Sequence, residues 1–93
     1  MSDEMTGLFF KGKLVDGNAI VVPMARAPLP ALVWVRPAAG DTVAMTYSTD
    51  GGVNYSAGLT ATVYAEDKFL AGVTHVKFQR TAGTGTTSEA GIC

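Results

Sequence analysis

Residues 42–57 carry the pattern that most limits what this chain can fold into. Val43, Met45 and Tyr47 alternate with Thr, Ala and Ser, and the run ends at Asp50-Gly51-Gly52. Apolar residues at every second position indicate a strand with one buried face, and Asp and Gly accept the left-handed backbone of tight hairpin turns. A second, polar strand follows the turn. The segment therefore predicts a β-hairpin.

Similar strand-length patterns fill the rest of the chain, and apolar residues nowhere recur at helical spacing over a useful length. Asp16-Gly17-Asn18 separates the first two patterns and predicts another hairpin, whereas Ala65–Lys68 is typical of a polar turn. About eight short strands with Gly and Pro between them predict a single all-β domain over residues 1–93, a small antiparallel β-sandwich or barrel. The other main predicted strands are Leu8–Leu14, Ala19–Val22, Ala31–Arg36, Leu59–Tyr64 and Val73–Arg80.

Two aromatic residues are predicted to lie in the core. Trp34 stands in the almost continuously apolar run Ala31–Arg36, which indicates a central strand buried on both faces. Phe78 stands in Val73–Arg80, where apolar and polar residues alternate. That alternation predicts a strand with one buried and one wet face, with Phe78 on the buried side.

Residues 81–93 are predicted to be a Thr/Gly-rich C-terminal extension with almost no charge. A flexible tail is one interpretation. We favour partial order, in which Thr84–Ser88 pairs as an edge strand and Ile92 packs back on the core, because a purely solvated tail has no use for apolar residues.

The composition predicts that a partner covers some apolar surface. Of the 93 residues, 47% are hydrophobic and only 16% are charged, which is apolar for a domain so small that much of its chain must face water. The alternative is that Ala, Val and Gly raise the hydrophobic count without forming a patch.

Charge and hydropathy argue against nucleic acid and membranes as partners. The net charge is −1 and the seven Lys and Arg residues are scattered, so no positive field is concentrated for a phosphate backbone. No apolar run approaches the roughly 20 residues of a membrane span, and the acidic N-terminus lacks the basic region of a signal peptide. Cys93 is the only cysteine and cannot form an internal disulfide, which indicates synthesis in a reducing cytoplasm.

No set of reactive side chains indicates catalysis, so we expect a non-enzymatic protein without catalytic residues, metal or cofactor. His75 is the only histidine and falls on a predicted strand, where a surface position is the common one. Cys93 lacks the positive, partly buried setting of a nucleophile. The carboxylates mostly fall in predicted turns, although strands could bring Asp41 and Glu66 together as a glycosidase pair.

Residues Ser48–Tyr55 resemble the Asp-box hairpin of sialidase-like propellers, with Asn54 and Tyr55 in place of the usual Thr and Trp. In those proteins the box is a recurrent structural turn remote from the catalytic site. Here it occurs once, in a chain too short for a propeller, so the resemblance implies a stable hairpin and nothing about sialic acid.

The segment from Asp41 to Cys93 resembles small proteins encoded among the structural genes of tailed bacteriophages and prophages. Asp41–Gly52, the strand Gly72–Arg80, and Thr81–Ser88 with the terminal Ile92-Cys93 carry this resemblance. It implies a structural protein of the virion, made in the host bacterial cytoplasm. A capsid-decorating or cementing protein, present in many copies or as a homo-oligomer, is the first expectation. A head-to-tail or tail-fibre component is the alternative.

Other virion proteins, either the major capsid protein or tail and connector proteins, are therefore the expected partners. Contacts should use apolar and Pro-rich segments that a free monomer leaves half exposed, since extended segments can add to a neighbour's sheet edge. A carbohydrate-binding module is a hypothesis of a different class, because Trp34 and the tyrosines could form a sugar platform. The candidate partner-binding residues are Phe9, Phe10, Met24, Arg26 and Leu29.

Overall fold

A computed structural model describes residues 9–15, 17–25, 27, 30–69, 72–85 and 87–93. These residues form eight β-strands and no helix, which confirms the predicted all-β fold. The strands are β1 (Phe10–Lys13), β2 (Ile20–Pro23), β3 (Ala31–Arg36), β4 (Thr42–Ser48), β5 (Ser56–Ala61), β6 (Ala65–Phe69), β7 (His75–Ala82) and β8 (Glu89–Ile92).

The strands form two four-stranded antiparallel sheets. Sheet A has the order β1-β8-β3-β6 and sheet B has the order β2-β7-β4-β5. The first strand pairs with the last, the second with the seventh, the third with the sixth and the fourth with the fifth. Such nested pairing is that of one long hairpin rolled into two layers, which is the jelly-roll arrangement. Of the two predicted architectures, the sandwich is the one observed.

Inward-facing residues of both sheets form one core between the layers. Phe78 is fully buried in this core, as its alternating segment predicts. The hairpin of β4 and β5 is also confirmed, with Gly51 and Gly52 at φ values of +83° and +90° in its turn. The fully buried large side chains of the core are Leu14, Val33, Val35, Val43, Met45, Val76, Phe78 and Ile92.

Trp34 is buried, with 8% of its surface exposed, but it lies outside this core. Val33 and Val35 face inward, so the two-residue period of a strand puts Trp34 on the outer face of sheet A. There the Arg36 guanidinium lies 5.1 Å from the indole centroid and the Tyr64 ring 6.4 Å from it. The predicted burial of Trp34 is thus confirmed, but the expectation that it packs inward and anchors the core is corrected. A continuously apolar run does not show which face of the strand is the inner one.

Three local predictions differ from the structure. β1 and β2 lie in different sheets, so the connection between them crosses the sandwich and is not a hairpin; Asp16 lies outside the described residues. Ala65–Lys68 is not a turn but most of β6, whose polar residues are exposed because β6 is an edge strand. The strand predicted at Leu59–Tyr64 begins and ends earlier, as β5.

The described part of the C-terminal segment contributes more than an edge strand. Residues Glu89–Ile92 form β8, which lies between β1 and β3 inside sheet A. Ala90 and Ile92 are fully buried. The paired residues are therefore a few positions later than Thr84–Ser88, and the segment that the sequence presents as an extension ends in an internal strand.

Candidate docking site

An apolar cleft opens along one side of the sandwich, where the edge strands of the two sheets meet. β1 is an edge of sheet A and β2 is an edge of sheet B. The cleft between them has a volume of about 400 Å³. We call it the edge cleft; the described residues that line it are Phe9, Phe10, Val22, Pro23 and Ala25.

Two neighbouring phenylalanines form the β1 wall of the edge cleft. The Phe10 ring stacks on the buried Phe78 ring, with centroids 6.1 Å apart and planes 5° from parallel. Gly12 makes room for it, since a Cβ there would lie 2.8 Å from the Phe10 ring. The Phe9 amide donates to the Ile92 carbonyl over 2.8 Å. This wall is thus tied to both the core and β8.

The opposite wall comes from β2 and the turn that follows it. Val22 is buried, whereas Pro23 and Ala25 are exposed and face the opening. Met24 lies between these two but is only 3% exposed, and it belongs to the core. Its amide donates to the Thr74 carbonyl over 2.9 Å, which holds this wall to the segment before β7.

Of the five candidate partner-binding residues, the structure brings Phe9 and Phe10 together in the edge cleft. Met24 is buried in the core, so its side chain is not offered to a partner in this monomer. Arg26 and Leu29 lie outside the described residues. Pro23 and Ala25 belong to the Pro-rich segment from Pro23 to Pro30, which the sequence marks as an expected contact segment. Sequence reasoning missed Val22, and it did not predict the cleft, because only the crossing of β1 and β2 into different sheets creates the opening between them.

Along this side of the sandwich, the backbone of β1 is not paired with any strand in the described part of the chain. The Leu14 amide donates to the Ser88 carbonyl over 2.7 Å, so Leu14 faces β8. Alternate residues of an antiparallel strand direct their N–H and C=O groups to the same side. Gly12 therefore also faces β8, and the backbone groups of Lys11 and Lys13 point away from the sheet. No described strand pairs with this free edge of β1.

The free edge of β1 is also positively charged. The Lys11 ammonium lies 4.0 Å from the Glu89 carboxylate, and its side chain is half exposed. Glu89 is held more closely by Arg36, at 2.8 Å. Lys13 is exposed and has no ion pair with any described residue. The site thus joins an apolar cleft to an open, basic strand edge.

The Asp-box-like turn is held by its own side chains. Ser48 donates its hydroxyl to Asp50 over 2.7 Å and accepts from the Gly52 amide over 2.9 Å. Asp50 accepts in turn from the Asn54 amide and side chain over 3.0 and 2.8 Å. The Asn54 amide first, then the Ser48 hydroxyl, lowers the pKa of Asp50 to about 2. All of these bonds are internal, which fits a structural turn.

A second polar cluster is buried, and sequence reasoning did not find it. Asp41 is 1% exposed; it accepts from the Ser88 hydroxyl over 2.6 Å and from the Gly85 amide over 3.0 Å. The Ser88 hydroxyl first, and then the Gly85 amide, holds the pKa of Asp41 below its usual value. The Arg80 guanidinium lies 3.9 Å from the same carboxylate. The cluster ties the β3–β4 loop to the β7–β8 loop.

The reactive side chains considered from the sequence have the following contacts in the structure. The His75 ring is within 3.2 Å of the Thr74 hydroxyl, and the Cys93 backbone is bonded to Leu32. Glu66 accepts from the Tyr64 hydroxyl, while Asp41 is enclosed by its own cluster, so the two carboxylates have separate partners. Among the described residues no three potential metal ligands gather.

The aromatic residues do not form an exposed platform for a sugar in the described part of the chain. Trp34 is covered by Arg36 and Tyr64. Tyr47 packs on Phe69 with centroids 5.1 Å apart, and Tyr55 lies 4.3 Å from the Lys77 ammonium. Tyr64, at 48%, is the one aromatic among the described residues that is largely exposed.

Comparison with protein-family models, with curated proteins and with solved structures gives no match. The part of the chain that the structure describes contains no helix capable of crossing a membrane.

Proposed function

We propose that this protein is a non-enzymatic structural component of a tailed-phage virion that docks on a larger virion protein through the edge cleft. The major capsid protein is the first candidate for that partner, with the chain decorating or cementing the head in many copies. Two things support the proposal: the phage-like segments between Asp41 and Cys93, and an exposed apolar cleft lined partly by Phe9 and Phe10.

The lining of the cleft is the observation that carries the proposal. Sites for small molecules combine apolar walls with a few polar groups that fix the orientation of the ligand. The described side chains that line the edge cleft are apolar, so they can bury apolar surface but supply little orientation to a small polar ligand. Burial of a partner's apolar side chains suits such a lining, as in the core of a protein–protein interface.

A head-to-tail or tail-fibre component is the alternative within the same class, since it would present the same apolar contact to a different neighbour. The arrangement of the strands does not distinguish a capsid-decorating protein from a head-to-tail or tail-fibre component. Jelly rolls occur in viral capsid proteins and in lectins alike, and a fold alone does not assign a function. The sugar-binding hypothesis has the weaker support, because Trp34 is covered.

The test is mass spectrometry of particles purified from the phage or prophage that carries this gene. Cells would also express a tagged Ala25→Glu variant beside the wild-type protein. Ala25 is an exposed turn residue that lines the edge cleft, so the substitution charges the cleft and leaves the core untouched. Ala39→Glu is the matched control, because Ala39 is an exposed turn residue outside the cleft.

We expect the wild-type protein and Ala39→Glu in the particles in many copies, and Ala25→Glu at least tenfold depleted. Absence of the wild-type protein from the particles would reject the virion assignment. Equal incorporation of the two variants would keep the virion assignment but move the contact away from the edge cleft.

A further inference from the structure

We propose that the free edge of β1 receives an extended strand of the partner, with acidic side chains opposite Lys11 and Lys13 and apolar side chains in the edge cleft. This inference rests on the proposed function, which makes the partner a virion protein. A strand added to β1 would extend sheet A to five strands. Its main-chain hydrogen bonds would supply affinity and its alternating side chains would supply specificity.

β1 is the described sheet edge that is best prepared for such pairing. In β2 the Met24 amide faces β7, so Pro23 points to the free edge, where it has no N–H to offer. In β6 the outward Lys68 amide is already bonded to the Asp67 carboxylate, over 2.8 Å. β5 meets β4 through a bulge at Met45/Thr46, which breaks the regular repeat. β1 presents two successive N–H and C=O pairs without these obstacles.

The charges on the outer face of sheet A select the side chains of the incoming strand. Lys13 is directly opposite Glu89, and Glu89 is directly opposite Arg36. The row across three strands therefore reads positive, negative, positive. Opposite charges in directly facing positions are stabilising and like charges are destabilising. An acidic residue opposite Lys13 would continue the alternation and give Lys13 a counter-charge.

The same charges disfavour a second copy of this chain as the occupant. If β1 paired with its own copy in antiparallel fashion about Gly12, each Lys11 would face a Lys13 of the other copy. Lysines on an edge strand are a common means of preventing such self-association. The occupant that fits this edge is therefore a strand of a different protein, with acidic side chains opposite Lys11 and Lys13.

The inner side of the added strand would lie over the edge cleft. Successive side chains of a strand alternate between the two faces of its sheet. Residues between the acidic positions would therefore lie on the cleft side, next to Gly12 and the Phe10 ring. Since that side is apolar, the expected partner segment alternates acidic and apolar residues over about five positions.

The first experiment tests the charge. A tagged Lys13→Glu variant competes with the wild-type protein for incorporation into particles, and mass spectrometry gives the ratio of the two. Lys68→Glu is the matched control: Lys68 is likewise exposed, on the edge strand at the opposite end of sheet A. We expect at least a tenfold loss for Lys13→Glu and less than a twofold change for Lys68→Glu. Equal incorporation of the two variants would overturn the proposed charge pairing.

The second experiment tests the backbone. Lys13→Pro removes an N–H that points away from the sheet, whereas Lys13→Ala removes only the side chain. We expect Lys13→Pro to be incorporated at least fivefold less than Lys13→Ala, with both variants melting cooperatively. Hydrogen exchange of the wild-type protein is the measurement that needs no variant: the Lys11 and Lys13 amides should exchange fast in the free protein and slowly in particles.

These outcomes separate the two proposals. Wild-type protein in the particles with fast exchange at both lysine amides, or with equal incorporation of the proline and alanine variants, would reject strand addition and leave the virion assignment standing. Absence of the wild-type protein from the particles would reject both.

Discussion

Two aspartates hold loops that the strands alone do not fix. Asp50 gathers the amides of its own turn, whereas Asp41 joins two loops that lie far apart in the chain. The first arrangement could be predicted from sequence, because every partner lies within four residues of Asp50. The second could not, because Gly85 and Ser88 lie 44 and 47 residues from Asp41 and no local pattern encodes that distance.

The pKa of Asp50 gives the stability of the fold a defined dependence on pH. Its folded-state pKa is about 2 against an ordinary value of 3.8. The ionised carboxylate therefore stabilises the fold above pH 4, and this contribution is lost as the pH falls through 3.8 towards 2. We expect Asp50→Asn to be less stable than the wild type at pH 6, with the difference shrinking towards pH 2.5. Denaturant unfolding of both proteins at pH 6 and pH 2.5 measures the difference in their free energies of unfolding. A difference that is the same at the two pH values would contradict a stabilising role for the ionised Asp50 carboxylate.

The positive φ of Gly51 predicts opposite effects for two glycine substitutions. Gly51→Ala should lower the free energy of unfolding by about 1 kcal/mol, because a Cβ is unfavourable in the left-handed region. Gly17 is the control, since its φ is not positive and a Cβ there meets nothing within 4 Å. Gly17→Ala should leave stability unchanged or raise it by about 0.5 kcal/mol. Thermal melting of both variants measures their stabilities. Equal losses of stability in Gly51→Ala and Gly17→Ala would show that the turn does not constrain the backbone of Gly51.

Among the strands, those with clean alternation were the most predictable. In β4 and β7 buried apolar residues alternate with more exposed ones, and their buried faces are the predicted ones. β6 was missed because an exposed edge strand needs few apolar residues and therefore looks like a polar turn. The crossing between β1 and β2 was missed because turn residues indicate that the chain changes direction. They do not indicate whether the next strand joins the same sheet or the other one.

The internal position of β8 predicts that its removal unfolds the protein. Deleting residues 89–93 would take the hydrogen-bonding partner from both β1 and β3 and expose the site of Ile92. We expect the truncated protein to lose its cooperative thermal unfolding transition, which circular dichroism would measure. Cys93→Ser, which keeps the backbone pairing with Leu32, should melt as the wild type does. A truncated protein that still melts cooperatively would show that β8 is dispensable.

The close approach of β8 to Trp34 predicts the order of two substitutions in sheet A. A Cβ at Gly91 would overlap the Trp34 indole and come within 2.8 Å of the Phe10 carbonyl oxygen. Gly91→Ala should therefore cost about 1–3 kcal/mol. Gly12→Ala should cost less, because the Phe10 ring that it meets can rotate away. Chemical denaturation gives both values, and the reverse order would mean that Trp34 does not lie over Gly91 in solution.

For the whole molecule, the nested pairing of strands explains where an interaction surface arises. Rolling one long hairpin into two sheets brings β1 and β2 to the same side of the sandwich but in different layers. Phe9 and Phe10 could be proposed as contact residues from the sequence, because they are two adjacent large apolar residues in a predicted strand near the N-terminus. The cleft itself could not be predicted, because it exists only between elements whose sheet assignment depends on pairings up to 82 residues apart, such as Phe10 with Ile92.

Cross-linking mass spectrometry of purified particles with a lysine-reactive reagent tests the central claim most directly. Lys11 and Lys13 lie on the free edge of β1, whereas Lys68 lies on the opposite edge of sheet A. We predict cross-links from Lys11 and Lys13 to a different virion protein, at positions close to its acidic residues, and few or none from Lys68. Cross-links from Lys68 alone, with Lys11 and Lys13 unlinked to any other protein, would contradict docking through the edge cleft.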